Sequence, residues 1–156
     1  MNTHRPDIRS VLGRVKASYP RIQHLLVPLD FSGKSRQALR YAVPLAQKFS
    51  AKVHLVHVLR PGRKADRMDL PRRQEEAWRR LVAMAARLLP PRLPTGNLVL
   101  TGEPARQILA AAAKLDADLI VLTTKGHGGL KRMLLGSTAE YVMRHAPCPV
   151  VSIRRR

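Results

Sequence analysis

Residues 119–129 read LIVLTTKGHGG and contain the clearest strand signal of the chain. This stretch begins with four consecutive apolar residues and ends in a run of polar and glycine residues. A short apolar run bounded by turn residues is typical of a strand buried on both faces of a parallel sheet. A helical pattern follows from about residue 136 to His145, and Pro149 then introduces another apolar run, residues 150–153. The segment therefore predicts a strand–helix–strand unit.

The same alternation extends toward the N-terminus. Further strands are predicted at residues 22–28, 53–59 and 97–100, and further helices at residues 34–49, about 74–88 and 104–115. Residues 60–73 are predicted to be a basic loop. Five strands alternating with four helices predict an α/β protein, a single open parallel sheet with helices on both faces. We predict a basic N-terminal extension over residues 1–20 and one domain over residues 21–156.

Composition limits the classes of protein that fit. The 156 residues carry a formal net charge of +19, from 29 Lys and Arg against 10 Asp and Glu, which predicts non-specific attraction to polyanions. No helix-turn-helix, zinc-finger or aromatic RNA-binding signature accompanies this charge. Cys148 is the only cysteine, so no internal disulfide can form. No apolar run has the length of a membrane span or the form of a signal peptide, so we expect a cytoplasmic protein without membrane association.

Glycines near the end of the fourth predicted strand indicate an anion site. Gly126 follows that strand, and Gly136 and Ser137 open the next predicted helix. Backbone N–H groups at glycines and at a helix N-terminus bind phosphate oxygens. Neither standard phosphate fingerprint is present, because Lys131 occupies the last glycine position of a dinucleotide motif. The alternatives are a loop without a ligand and a capping box from Ser137 to Glu140.

The turn after the first predicted strand is a second candidate. Pro28 and Asp30 end that strand. Ligands in parallel sheets bind beyond the carboxyl ends of strands, where the strand order reverses. If the first and fourth strands are neighbours, both turns face one crevice. Asp30 is either a turn or cap former or a polar contact to a ligand.

The sequence offers no catalytic set. His54 and His57 lie three apart in a strand and should point to opposite faces. No nucleophile has a paired base at a recognisable spacing, so the residues predict no enzyme.

Several motifs together resemble the universal stress protein family. They occur in the right order from about residue 22 to residue 153, and the block from Leu134 to Val151 is the most specific. The quoted motifs are VPLDFS at residues 27–32, LVHV at 55–58, TTKG at 123–126, LLGSTAE at 134–140 and HAPCPVV at 145–151.

The resemblance implies a Rossmann-like fold of the adenine nucleotide α-hydrolase type with strand order 3-2-1-4-5. It also implies binding of ATP, with or without Mg²⁺. Nine residues separate Gly126 from Gly136, as in the family's phosphate motif, but Thr123 stands where its first glycine belongs. The residues carried over to nucleotide binding are Pro28, Asp30, Val58, Thr123, Lys125, Gly126, His127, Gly136, Ser137 and Thr138.

Three functions stay open. The first is a stress-response regulatory module that binds an adenine nucleotide. The second, favoured by Thr123, is a family member without nucleotide that acts as a protein-interaction dimer. The third is a non-specific nucleic-acid binder. The resemblance also implies a homodimer paired through the last strand, residues 148–154, and an unpaired apolar edge strand is consistent with it.

Overall fold

The structure is a computed structural model that describes residues 21–62, 69–124 and 136–154. The predicted extension over residues 1–20 therefore lies outside the described part of the chain. The elements, in chain order, are β1 (His24–Pro28), α1 (Gly33–Phe49), β2 (Lys52–Leu59), α2 (Leu70–Leu88), β3 (Thr95–Thr101), α3 (Pro104–Lys114), β4 (Leu119–Thr123), α4 (Ser137–His145) and β5 (Val150–Ile153).

The five strands form one parallel sheet in the order β3-β2-β1-β4-β5. This topology confirms the predicted α/β class and the strand order that the resemblance implied. The central strand β1 pairs with β2 on one side, where Leu25 lies opposite Val53, and with β4 on the other, where Leu26 lies opposite Ile120. Each connection through a helix returns the chain to the amino end of the sheet, as parallel pairing requires.

Two apolar layers cover the sheet, one on each face. Helices α1 and α2 pack on the face that carries Leu25, Val27 and Leu55. Helices α3 and α4 pack on the opposite face, against Leu26 and Ile120. Burial on both faces explains why the strand sequences are continuous apolar runs instead of alternating ones. No helix within the described residues is long and apolar enough to cross a membrane.

Local side chains fix where α1 and α3 begin. The Ser32 hydroxyl accepts a hydrogen bond from the Ser35 backbone N–H at 3.1 Å and caps α1. Glu103 caps α3 in the same way, through the Arg106 N–H at 2.9 Å. The predicted loop over residues 60–73 is wrong at its end, because α2 already begins at Leu70. Pro71 lies in the first turn of that helix, where a backbone N–H would have no carbonyl partner within the helix, so proline removes no hydrogen bond there.

A pair of histidines packs at the amino end of the sheet. The Nδ1 atom of His24 lies 3.0 Å from the Nε2 atom of His54, and His54 is only 4% exposed. Burial, the nearby Lys52 ammonium and His24 lower the pKa of His54 to about 4. The sequence predicted correctly that His54 and His57 face opposite sides of the sheet, but it did not indicate this pair.

The depressed pKa of His54 predicts that mild acid destabilises the fold. Below pH 6.5 the His54 side chain becomes protonated in the unfolded chain, whereas in the folded chain it stays neutral until about pH 4. The free energy of unfolding therefore falls as the pH falls from 6.5 to about 4. We expect His54 to account for a loss of about 2 kcal/mol between pH 7.5 and pH 5. Urea unfolding at several pH values measures this loss.

The matched variant is His54→Gln, which keeps a hydrogen-bonding group beside His24 but cannot take up a proton. We expect a shallower dependence of its unfolding free energy on pH. Some dependence should remain, because burial also lowers the pKa of His57. Equal losses in wild type and variant would contradict the assignment.

Candidate functional site

The strand order reverses between β1 and β4. From β1 the chain passes through α1 to β2 on one side, whereas β4 lies on the other side. The turns that leave the carboxyl ends of these two strands therefore diverge to opposite faces of the sheet. Such divergence opens a crevice at the sheet edge, which is the usual ligand position in parallel α/β proteins. The condition set by the sequence, that the first and fourth strands be neighbours, is met.

The turn after β1 is built around Asp30. Pro28 is the last residue of β1, and the Leu29 N–H continues the pairing by donating to the Val56 carbonyl at 2.8 Å. The Asp30 carboxylate then accepts a hydrogen bond from the Ser32 N–H at 3.0 Å. Asp30 is thus a turn former, one of the two roles that the sequence left open. Its side chain is half-buried, so the turn role does not exclude a contact to a ligand.

An aromatic cluster that the sequence did not indicate supports this turn. Phe31 follows Asp30 with a φ of 60°, in the left-handed region that a bulky residue rarely adopts. Its ring lies 4.2 Å from the His57 ring, and the Arg80 guanidinium carbon lies 4.1 Å from the Phe31 ring centroid. His57 donates from Nδ1 to the Leu29 carbonyl at 2.7 Å. These contacts hold the strained backbone in place.

The surroundings of His57 act on its protonation in opposite directions. Burial lowers the pKa of His57, and the charge of Arg80 lowers it further, against the opposing effects of the Leu29 carbonyl and Asp30. The alternation of side chains along β2 indicated only which face of the sheet the His57 ring would occupy. Its contact with Leu29 depends on residues 28 positions apart in sequence.

Helix α4 is tied to the end of β4 by one backbone hydrogen bond. The Gly136 N–H donates to the Thr124 carbonyl at 2.6 Å, and the Thr124 N–H donates to the Ile153 carbonyl at 3.2 Å. Thr123, the last residue of β4, is half-buried beside them. The first turn of α4 therefore lies at the carboxyl edge of the sheet, beside the end of β4. The turn that follows β4 is the one predicted to bind an anion.

The cap of α4 is Gly136, not Ser137. Gly136 has φ −78° and ψ 148°, and its carbonyl accepts the first helical hydrogen bond, from the Glu140 N–H at 2.9 Å. The Glu140 carboxylate accepts from Arg144 at 3.0 Å instead of reaching back to the cap. The capping box that the sequence allowed is therefore wrong. Ser137 is the first helical residue, and its side chain is exposed.

The remaining predicted residues divide between described and undescribed parts of the chain. Val58 is half-buried near the carboxyl end of β2 and packs on the α3/α4 face. Thr138 is half-buried in the first turn of α4. Lys125, Gly126 and His127 lie outside the described residues.

Potential metal ligands among the described residues are not clustered. Within residues 21–62, 69–124 and 136–154, no three His, Cys, Asp or Glu side chains are placed to hold a metal ion. Burial raises the pKa of the Cys148 thiol, which disfavours the reactive thiolate. The features that the edge does offer are backbone N–H groups at a helix start, the Asp30 carboxylate and a half-buried apolar wall at Val58.

Known proteins share this architecture. Residues 21–154 match the Universal stress protein family. A universal stress protein of Thermus aquaticus is 36% identical over 136 residues, covering 83% of this chain and 97% of the relative. One from Methanocaldococcus jannaschii is 32% identical over 141 residues, covering 84% and 81%. The chain belongs to the universal stress protein family.

Solved structures agree on the fold. Universal stress protein UspA from Lactobacillus plantarum superposes with a TM-score of 0.71 at 29% identity, covering 86% of this chain and 99% of that one. A universal stress protein in complex with cAMP gives a TM-score of 0.66 at 21% identity, covering 86% and 98%. One from Archaeoglobus fulgidus in complex with dAMP gives 0.56 at 22% identity, covering 85% and 98%. The last two share the fold with this chain.

The role of Asp30 in the turn predicts different outcomes for two substitutions. Asp30→Ala removes the acceptor for the Ser32 N–H and should lower the free energy of unfolding by about 1–2 kcal/mol. Asp30→Asn retains a side-chain oxygen that can form the same turn and should change stability much less. Urea unfolding of the three proteins at pH 7.5 measures the difference. Equal destabilisation by both substitutions would show that the negative charge, not the turn, is what matters.

Proposed function

We propose that this protein is a cytoplasmic stress-response regulatory module that binds an adenine nucleotide, ATP in the first instance, with or without Mg²⁺. The observation that carries the proposal is the anchoring of α4 by the hydrogen bond from Gly136 to Thr124. It fixes the start of the helix at the strand-order reversal, which is where parallel α/β proteins bind nucleotides.

The phosphates are assigned to the first turn of α4. The N–H groups of Ser137 and Thr138 belong to this turn, and such groups have no carbonyl partner within the helix. The positive end of the helix dipole adds to their attraction for an anion. The exposed Ser137 hydroxyl can donate another hydrogen bond. Lys125, Gly126 and His127 are assigned to the phosphates by the resemblance alone.

The adenosine is assigned to the β1–β2 side of the crevice. Asp30 supplies a carboxylate that can accept from ribose hydroxyls or the adenine amino group. Pro28 and Val58 supply apolar surface at the carboxyl ends of β1 and β2. The complexes of similar proteins with cAMP and dAMP support an adenine nucleotide as the class of ligand.

The proposed role is regulation by occupancy and not rapid turnover. The described residues at this edge offer no general base beside the proposed phosphates, so we expect ATP hydrolysis to be slow if it occurs. The +19 charge should produce attraction to nucleic acid that depends strongly on salt and not on base sequence.

Thr123 favours a second candidate function, a nucleotide-free protein that acts as an interaction dimer. Its branched side chain stands where the family's phosphate motif has a glycine, at a half-buried position ending β4. Analysis of the nucleotide content of protein purified without added nucleotide and then denatured distinguishes the two functions.

The first test of nucleotide binding is Ser137→Ala. Calorimetry with ATP and with ADP should show binding weakened about tenfold to a hundredfold, the value of one hydrogen bond to a charged group. Because Gly136 occupies the cap position, the free energy of unfolding should change by less than about 0.5 kcal/mol. Absence of binding to the wild type at millimolar nucleotide would refute the proposal.

Two further substitutions, one at Gly136 and one at Thr123, test how closely the backbone approaches the nucleotide. The φ of −78° at Gly136 is allowed for any residue, so Gly136→Val tests steric approach of the ligand without backbone strain. We expect it to abolish binding, whereas Thr123→Gly should tighten binding by removing the branched side chain. Wild-type affinity in Gly136→Val would place the nucleotide elsewhere.

The proposed dimer pairs the last strands, residues 148–154, of two copies. β5 is an edge strand, and Val151 is 36% exposed on it. Val151→Lys should shift the protein toward monomer in sedimentation velocity at micromolar concentration, because a charge would be buried at the interface. Val82→Lys changes a valine of α2 that is similarly exposed, at 42%, and should leave the assembly unchanged. A wild-type monomer under these conditions would contradict the dimer.

A further inference from the structure

The edge of the sheet opposite β5 carries an open groove. It lies between α2 and the edge strand β3, with a volume of about 510 Å³. Helix α2 contributes Pro71, Gln74, Glu75 and Trp78, and β3 contributes residues 97–100. This groove is separate from the proposed nucleotide crevice, because two strands' width of sheet, β2 and β1, lies between β3 and β4.

Unused backbone groups line the outer side of β3. The Val53 N–H donates to the Pro94 carbonyl at 2.9 Å, and the Gly102 N–H donates to the Leu59 carbonyl at 2.9 Å. Successive residues of a strand direct their backbone groups to opposite sides, so the even-numbered residues of β3 pair with β2. The odd-numbered residues, 95 to 101, therefore direct their N–H and C=O groups outward. No described strand pairs with that side.

The groove also contains an unsatisfied acceptor. The side-chain oxygen of Asn97 is fully buried, yet none of the described groups donates a hydrogen bond to it. Buried acceptors normally have a partner, and one without a partner destabilises the fold. The packing between α2 and β3 is therefore imperfect at this edge.

The groove has an apolar side that remains open to solvent. Trp78 is 44% exposed, and Val82, one helical turn further along α2, is 42% exposed. An exposed tryptophan beside unpaired strand groups has the composition of a peptide-binding surface, in which main-chain hydrogen bonds supply affinity and side-chain contacts supply specificity.

Charge selects among the occupants that such a surface could accept. The carboxylates beside the groove, Asp69 and Glu75, are paired with Arg72 and Arg79 of the same helix. A second copy of the chain would bring two such arginine-rich helices together. The N-terminal residues 1–20 are also basic, with four Lys or Arg against one Asp. Repulsion between like charges therefore disfavours both a second copy of the chain and residues 1–20 as the occupant of this groove.

Unpaired cations lie at both ends of β3. Lys52 lies at the amino end of β3. Its Cε atom is 3.5 Å from the position that a Cβ atom would take at Gly96. At the carboxyl end of β3, Arg73 reaches the Arg60 carbonyl at 3.4 Å. The side chains of Lys52, Arg60 and Arg73 form no ion pair with any described residue. They suit an occupant with negative charge along its length.

We propose that this edge binds an extended acidic peptide segment of another protein, which adds to the sheet as a sixth strand beside β3 and packs an apolar side chain on Trp78.

The probe is a capped seven-residue peptide of alternating glutamate and valine, as long as β3. Trp78 is the only tryptophan of the chain, so its emission reports directly on this groove. We expect a saturable blue shift on titration of the full-length protein. The same peptide with proline at its central position keeps most of the charge but cannot complete the pairing, and it should bind about tenfold more weakly. A lysine–valine peptide should not bind.

Protein variants test the contacts separately, with fluorescein-labelled peptide and anisotropy as the readout. Trp78→Ala should weaken binding about tenfold, whereas Tyr41→Ala, an exposed aromatic of α1, should change it less than about twofold. Asn97→Leu should raise the urea midpoint of the free protein, because it removes the buried acceptor that has no partner.

The alternatives give distinct results. Equal, salt-sensitive binding of the alternating and proline peptides would reduce the interaction to charge attraction and overturn the proposal. Binding of the lysine–valine peptide would overturn the acidic partner. Peptide binding that appears only after removal of residues 1–20 would identify that segment as the occupant. Loss of self-association in Trp78→Ala would identify a second copy instead.

Discussion

Strand β1 lies at the centre of the sheet and joins its two halves. Leu25, Leu26 and Val27 have no solvent exposure, because strands flank β1 on both sides and helices cover both faces. A strand buried in this way can only extend polar groups into solvent at its ends. The Asp118 carboxylate accepts hydrogen bonds from the Gln23 and His24 N–H groups at the amino end, at 2.8 and 2.9 Å. The carboxyl end is left to the turn around Asp30.

The two sides of the carboxyl edge are held by different kinds of interaction. On the β1 side, the left-handed Phe31 is held by ring contacts with His57 and Arg80. On the β4 side, a backbone hydrogen bond from Gly136 fixes the start of α4. Strain at Phe31 is tolerated because α2 and β2 supply the compensating contacts. Interactions within the protein therefore fix both sides of this edge.

The two edges of the sheet present different surfaces. β5 is short, with only four residues, and carries exposed valine beside polar serine. β3 has seven residues and lies beside an arginine-rich helix with an exposed tryptophan. Long unpaired edges are normally protected against indiscriminate pairing, and positive charge is one common protection. The cations around β3 therefore both limit self-association and favour an oppositely charged partner.

The class of fold and the location of the crevice could be predicted from the sequence. The apolar runs, the periodic helices and the turn residues are local signals, and they predicted all five strands and the side of the sheet on which Asp30 and Gly136 lie. The sequence did not determine contacts between residues distant along the chain. Tertiary packing paired His24 with His54, placed Arg80 over Phe31 and left the Asn97 oxygen without a donor among the described groups. It also moved the cap of α4 from Ser137 to Gly136, because the hydrogen bond to Thr124 fixes where the helix starts.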